Sequence, residues 1–275
     1  MRGRISISSL KTAGSMQDSS FTDAYKPAQI AKLIEIAGVN KARLPAAQML
    51  VLAILAGTFI GFGAAAFTAV MTGVDTSFGP SRLLGGVVFS LGLILVVVGG
   101  AELFTGNALM VMAVVEKRIS KQRLFRNWAV VYFGNLIGAS MLALAFGLSG
   151  ILEGAIGQMA IALAEAKADL SVLEAVVRGI LCNALVCLAI WLTFAARTVA
   201  GKILAILWPI SAFVLLGLEH SVANMYFFPQ AWAAGGQVTL VAASSNLLSV
   251  TIGNILGGGL GVALAYRFAY LSSAN

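Results

Sequence analysis

One histidine occurs among the 275 residues, and it stands where a titratable group is costly. His220 follows Glu219 in an apolar run that reaches from Lys202 to Gln230 with no further charge. An imidazole there can donate a proton or sense charge on a buried path, because histidine ordinarily titrates near neutral pH. The plainer alternative is a histidine bonded to a neighbouring carbonyl. A second apolar run is interrupted by Glu102-Leu103-Phe104-Thr105-Gly106-Asn107. Thr105 can offer its hydroxyl to an anion or to His220. Glu102 and Glu219 can carry protons, or they can pin broken helices by accepting backbone N–H groups. Asn183 and Asn254 are amides in apolar segments, suited to lining a pore or to bonding between helices.

Other chemistries fit poorly. Gly147-Leu148-Ser149-Gly150 has the form found around the nucleophile of intramembrane serine hydrolases, with His220 as a conceivable base. Ser149 falls at the end of a predicted helix, however, and no polar group is placed to orient the histidine. Cys182 and Cys187 are five apart on a predicted helix and point away from each other. With one histidine they supply neither a disulfide nor a metal site, so no metal and no cofactor is expected.

These side chains need a membrane-spanning frame. Hydrophobic residues make up 59% of the chain and charged residues 11%, against about 25% charged in a soluble domain. The net charge of +7 reflects basic loops beside a bilayer rather than nucleic-acid binding. Residues 1–26 lack the apolar core of a signal peptide and read as a Ser-rich disordered tail. Pro27 opens an amphipathic helix over 27–42, which lies on the membrane face or plugs an opening. Six hydrophobic stretches follow, at 45–72, 83–115, 128–152, 173–195, 203–229 and 238–266, each reaching the roughly 20 residues that a crossing needs, and 83–115 is too long for one plain crossing. The second and fifth are interrupted at Glu102 and Glu219. Most of the 18 basic residues fall on the side that holds both termini, which makes that side cytoplasmic.

The interruptions repeat. Glu102 and Asn107 are matched by Glu219 and Asn224, offset by 117 residues. Gly134-Asn135-Leu136-Ile137-Gly138 is matched by Gly253-Asn254-Ile255-Leu256-Gly257, offset by 119 residues. The symmetry favours structural roles for Glu102, Glu219, Asn107, Asn224 and Asn135. Repeats of three helices each, over about 45–152 and 173–266, have opposite orientations. Such inverted repeats place broken helices around a pathway near the midplane. Non-helical backbone is tolerated at that depth only inside protein or around a cavity. The organisation expected is an N-terminal segment 1–44, a channel domain 45–270 and a short tail 271–275.

The segments GGAELFTGN (99–107), VYFGNLIGA (131–139), NALVCLAIW (183–191), GLEHSVANM (217–225) and VTIGNILGGG (250–259) resemble the formate/nitrite transporter family. The resemblance runs from about residue 27 to 270. It implies an all-α, aquaporin-like bundle of six membrane helices, one pore per protomer, assembled as a homopentamer in the inner membrane. It also implies conduction of small monovalent anions, formate first, then nitrite or hydrosulfide, with protons as a further partner. By the same resemblance His220 is the central pore residue, Thr105 its partner, Lys167 the vestibule lysine, and Asn183 and Asn254 lie near the histidine. Phe89, Leu93, Phe213 and Leu103 become the hydrophobic constrictions around it. Arg178 has no counterpart role. Glu174, four residues earlier, is its expected ion-pair partner, and the arginine is expected to face a subunit contact or to snorkel outward.

Overall fold

A computed structural model describes residues 24–271. The tail expected over the first 23 residues, and the last four residues, lie outside the described residues. Helices joined by turns and short irregular segments make up the described chain. In order come α1 (Pro27–Arg43), α2 (Ala46–Met71), α3 (Gly79–Gly99), a 3₁₀ turn (Gly106–Met110), α4 (Val111–Val115), α5 (Lys121–Leu148), α6 (Ala155–Ala168), α7 (Val172–Ala195), α8 (Val199–Leu215), α9 (Ser221–Ala233) and α10 (Leu240–Ile255). A π-type stretch, Leu256–Leu264, joins α10 to α11 (Ala265–Leu271).

Five helices are long and apolar enough to cross a membrane: α2, α3, α5, α7 and the continuous run Leu240–Leu271. The interruptions fall where the two Glu-Asn motifs predicted them, but they divide their segments differently. α3 reaches spanning length by itself, so the Glu102 break follows a full-length helix. The Glu219 break instead separates α8 from α9, at 17 and 13 residues. At both sites the chain leaves its helix through a left-handed glycine, Gly100 at φ 85° and Gly217 at φ 67°. A side chain at either position would be strained.

Glycines also set the distance between helices. α5 lies so close to α2 that a Cβ on Gly138 would collide with the carbonyl oxygen of Ile54. α10 approaches α7 through Gly253, against the carbonyl oxygen of Val176, and the π-type stretch does so through Gly257, against the carbonyl oxygen of Ile180. Small residues let backbones touch where lipid provides no hydrophobic drive for association. The core between these pairs gathers Met49, Ile60, Phe89, Leu93, Val186, Ile210, Phe213 and Tyr226.

α1 does not turn its apolar face to lipid. Ile30, Ala31, Ile34, Gly38 and Ala42 are buried. Ile30, Ala31 and Ile34 pack with Ala108, Leu109, Met112, Cys187 and Trp191. Arg118 pairs with Glu35 at 3.0 Å, and Lys41 reaches Glu102 at 2.6 Å. The helix is thereby tied to the first break.

Gly138→Ala and Gly257→Ala should each cost about 1–3 kcal/mol by forcing packed backbones apart. Gly79→Ala, with nothing within 4 Å of the new methyl, should be near neutral. Thermal unfolding in detergent measures the difference; equal midpoints for all three would contradict the close-contact reading.

Candidate functional site

Each break exposes backbone groups that a helix would have satisfied, and asparagines satisfy them. Asn135 Nδ2 donates to the carbonyls of Ala53 (2.7 Å) and Glu102 (2.9 Å), and its Oδ1 accepts from Phe104 N (2.9 Å). Asn254 repeats this with Gly179 O (2.9 Å), Glu219 O (3.0 Å) and Ser221 N (2.9 Å). Asn107 Nδ2 donates to Glu102 Oε2 (2.8 Å) and Asn127 Oδ1 (2.8 Å). Asn224 Nδ2 donates to Glu219 Oε2 (2.7 Å) and Asn246 Oδ1 (2.8 Å). The second oxygen of each glutamate faces a lysine, Lys41 on Glu102 at 2.6 Å and Lys167 on Glu219 at 2.9 Å. Both carboxylates are buried, with side chains 7% and 5% exposed, and each is held by an ammonium and an amide.

Two expectations change here. Asn254, assigned to the pore, spends its whole amide on the break, as Asn135 does. Asn183 bridges the breaks, donating to Thr105 O (3.1 Å) and Asn254 O (2.6 Å). Its Oδ1 is buried without a partner. Neither asparagine lines the cavities described below.

Between the breaks sits the histidine. His220 Nδ1 accepts from Ala223 N at 3.1 Å, so the side chain caps α9. That nitrogen therefore carries no proton, and the neutral ring's Nε2–H donates to Thr105 Oγ1 at 2.9 Å. The ring stacks on Phe213 with centroids 6.0 Å apart, and Phe213 meets Phe89 edge-on at 5.5 Å. Phe89, Leu93, Leu103 and Phe213 are all buried in one cluster.

Two cavities open on this centre, and they share no lining residue. The one on the histidine side, about 220 Å³, is lined by Phe89, Phe213, His220, Lys167, Glu219, Arg82 and Arg178 among others. The other, about 510 Å³, is lined by Leu103, Glu102, Asn107, Lys41 and Lys202 among others. Leu93 lines neither and lies in the dry cluster. Lys167 does reach the mouth, but paired with Glu219 and over the Phe227 ring at 5.1 Å. Arg178 lines the histidine-side cavity. Glu174 makes no contact ion pair with it and caps its own helix through Ser171.

Lys41, Asn127, Asn246, Arg82 and Lys202 were missed as site residues. The first three have a signal in the sequence once the offset is known: Asn127 and Asn246 are 119 apart, and Lys41 and Lys167 are 126 apart, as are the carbonyl acceptors at 53 and 179. A hydrolytic pair is absent. Ser149 is exposed and donates to Phe146 O, and both histidine nitrogens are engaged elsewhere.

Known proteins resemble this chain over most of its length. The family model described as Formate/nitrite transporter matches residues 28–268. The chain is 40% identical over 272 residues to the protein named Formate channel FocA from Escherichia coli (strain K12), covering 90% of this chain and 95% of that one. It is 44% identical over 249 residues to the Uncharacterized transporter YrhG of Bacillus subtilis (strain 168), covering 89% and 93%. A solved structure described as a pentameric formate channel with formate bound matches with a TM-score of 0.76 at 40% identity, covering 82% of this chain and 98% of that one.

Lys167→Met leaves a buried carboxylate without its cation, a change worth about 3–5 kcal/mol of destabilisation. Adding Glu219→Gln removes the orphaned charge and keeps an acceptor for Asn224. The double variant should unfold at a higher temperature than Lys167→Met alone.

Proposed function

The chain belongs to the formate/nitrite transporter family, and from that premise we propose that it conducts formate through a pore in each subunit of a homopentamer. It is a multi-span membrane protein and not an enzyme. The observation that carries the substrate path is the His220–Thr105 pair, buried between two cavities that each hold more positive than negative side chains. The distribution of Lys and Arg supports a cytoplasmic position for both termini and an inner-membrane location.

A carboxylate that leaves water for the Phe89–Phe213–Leu93–Leu103 region loses its hydration and meets a barrier of many kcal/mol. A proton removes that barrier. His220 rests neutral, with Nδ1 held by Ala223 N–H. An anion beside the ring favours the imidazolium. Nδ1 takes a proton relayed from bulk solution through water in the cavity as its bond to Ala223 opens, and Nε2–H passes to a formate oxygen. Formate becomes neutral formic acid and crosses the apolar constriction; the ring is left neutral with its proton on Nδ1, and loss of that proton to cavity water with re-protonation of Nε2 restores the bond from Ala223 N–H. Thr105 holds Nε2 in line, its hydroxyl oxygen accepting the Nε2–H hydrogen bond between transfers. Lys167, Asn183 and the helix-break residues keep this geometry in place.

His220→Asn stays polar but does not titrate. In proteoliposomes between pH 5 and 8 it should assemble normally and lose the pH dependence of formate flux. A wild-type rate and pH profile in this variant would make the histidine structural. Phe213→Ala removes the ring stacked on His220 and should admit larger carboxylates such as lactate. An unchanged size limit in an intact assembly would make Phe213 ordinary core.

A further inference from the structure

The charges of the histidine-side cavity are not shared evenly. Lys167 is bound to Glu219, so this pair adds little net charge to the space. The two other cations that line it, Arg82 and Arg178, make no ion pair among the described residues. The carboxylates nearest to them along the chain are occupied. Asp75 accepts from Ser77 N and Oγ at 2.8 and 2.7 Å, and Glu174 from Ser171 N and Oγ at 3.0 and 2.7 Å. Arg178 and Glu174 feel one another's charge without contact. Both arginines are half-buried. Arg82 is packed against the Gly217 turn, where even a methyl group would press on its Nη2 at 2.6 Å. Arg178 is fixed at the second break, because its carbonyl accepts from Glu219 N at 3.4 Å.

We infer that Arg82 and Arg178 form a capture site for planar two-oxygen anions, and that this pair, rather than Lys167, decides which anions wait beside His220. The inference rests on the conduction reading above and specifies its substrate class. A guanidinium presents N–H groups in a rigid fork that matches two oxygens of one anion, whereas an ammonium is a point charge without that preference. Formate and nitrite offer two coplanar oxygens; chloride and hydrosulfide offer one centre. A cavity of about 220 Å³ holds such an anion with several waters, above the edge-on pair of Phe89 and Phe213. The opposite cavity differs. Its cation beyond the Lys41–Glu102 pair is Lys202, a point charge, so its field attracts anions with less regard for shape.

The test is competition against labelled formate uptake in proteoliposomes at fixed ionic strength. For the wild type, nitrite should compete at a concentration about tenfold below chloride, the discrimination of roughly one extra charge-assisted hydrogen bond. In the variant carrying Arg82→Lys and Arg178→Lys, which keeps both charges, the gap between nitrite and chloride should close. Replacing both by Gln should weaken competition by both anions. Equal competition by nitrite and chloride in the wild type overturns the inference without any variant, as does a gap that survives the lysine substitutions. Should the double variant fail to assemble, Arg178→Lys alone is read against the wild type. A wild type that takes up no formate would refute conduction instead; the capture site is then judged by calorimetry in detergent, where binding of formate without binding of chloride supports it and equal binding removes it.

Discussion

Everything in this molecule depends on satisfying backbone polar groups at two places where helices stop inside the membrane. The groups bound by the asparagines are buried among protein atoms, and each one left unpaired costs free energy comparable to a lost hydrogen bond or more. Asn135 and Asn254 bind carbonyls and an amide across each break, and each glutamate is held by its own asparagine and lysine. Helix spacing follows from the same need, because those amides reach their acceptors only when glycine lets α5 approach α2 and α10 approach α7.

On this duplicated frame the chemistry is not duplicated. At an offset of 117 residues His220 corresponds to Leu103, and Thr105 to Val222. At an offset of 126, Asn183 corresponds to Gly57. Gly57 lies against the carbonyl of Asn135, while Asn183 donates to the carbonyl of Asn254. The bonds that hold the breaks obey the repeat. The residues that meet between the breaks depart from it.

The sequence made the repeat and its breaks legible because buried Glu and Asn are rare in apolar runs and recur at nearly one offset. The pairing of His220 with Thr105 followed from the resemblance and from burial of a lone imidazole. Other features were hidden for physical reasons. Lys41 lies 61 residues from Glu102, and its helix looks from its own amphipathicity like a membrane-surface helix. The cavity position of Arg178 was hidden because helical spacing alone does not say which surroundings a charge on an apolar helix meets. Asn254 was assigned to the pore by its nearness to the histidine, although its match to Asn135 already favoured the break.

The correspondence of His220 with Leu103 also gives the conduit a direction. Two equivalent halves facing opposite ways would present the same sequence of barriers to a particle arriving from either side. Placing the only imidazole on one half makes that profile lopsided: a traveller would meet fork-shaped cations and an imidazole first from one end, and an ammonium and an apolar leucine first from the other. Under the proposed conduction, equal and opposite gradients would drive unequal initial currents, because the two ends carry different groups, and such rectification would require no moving gate.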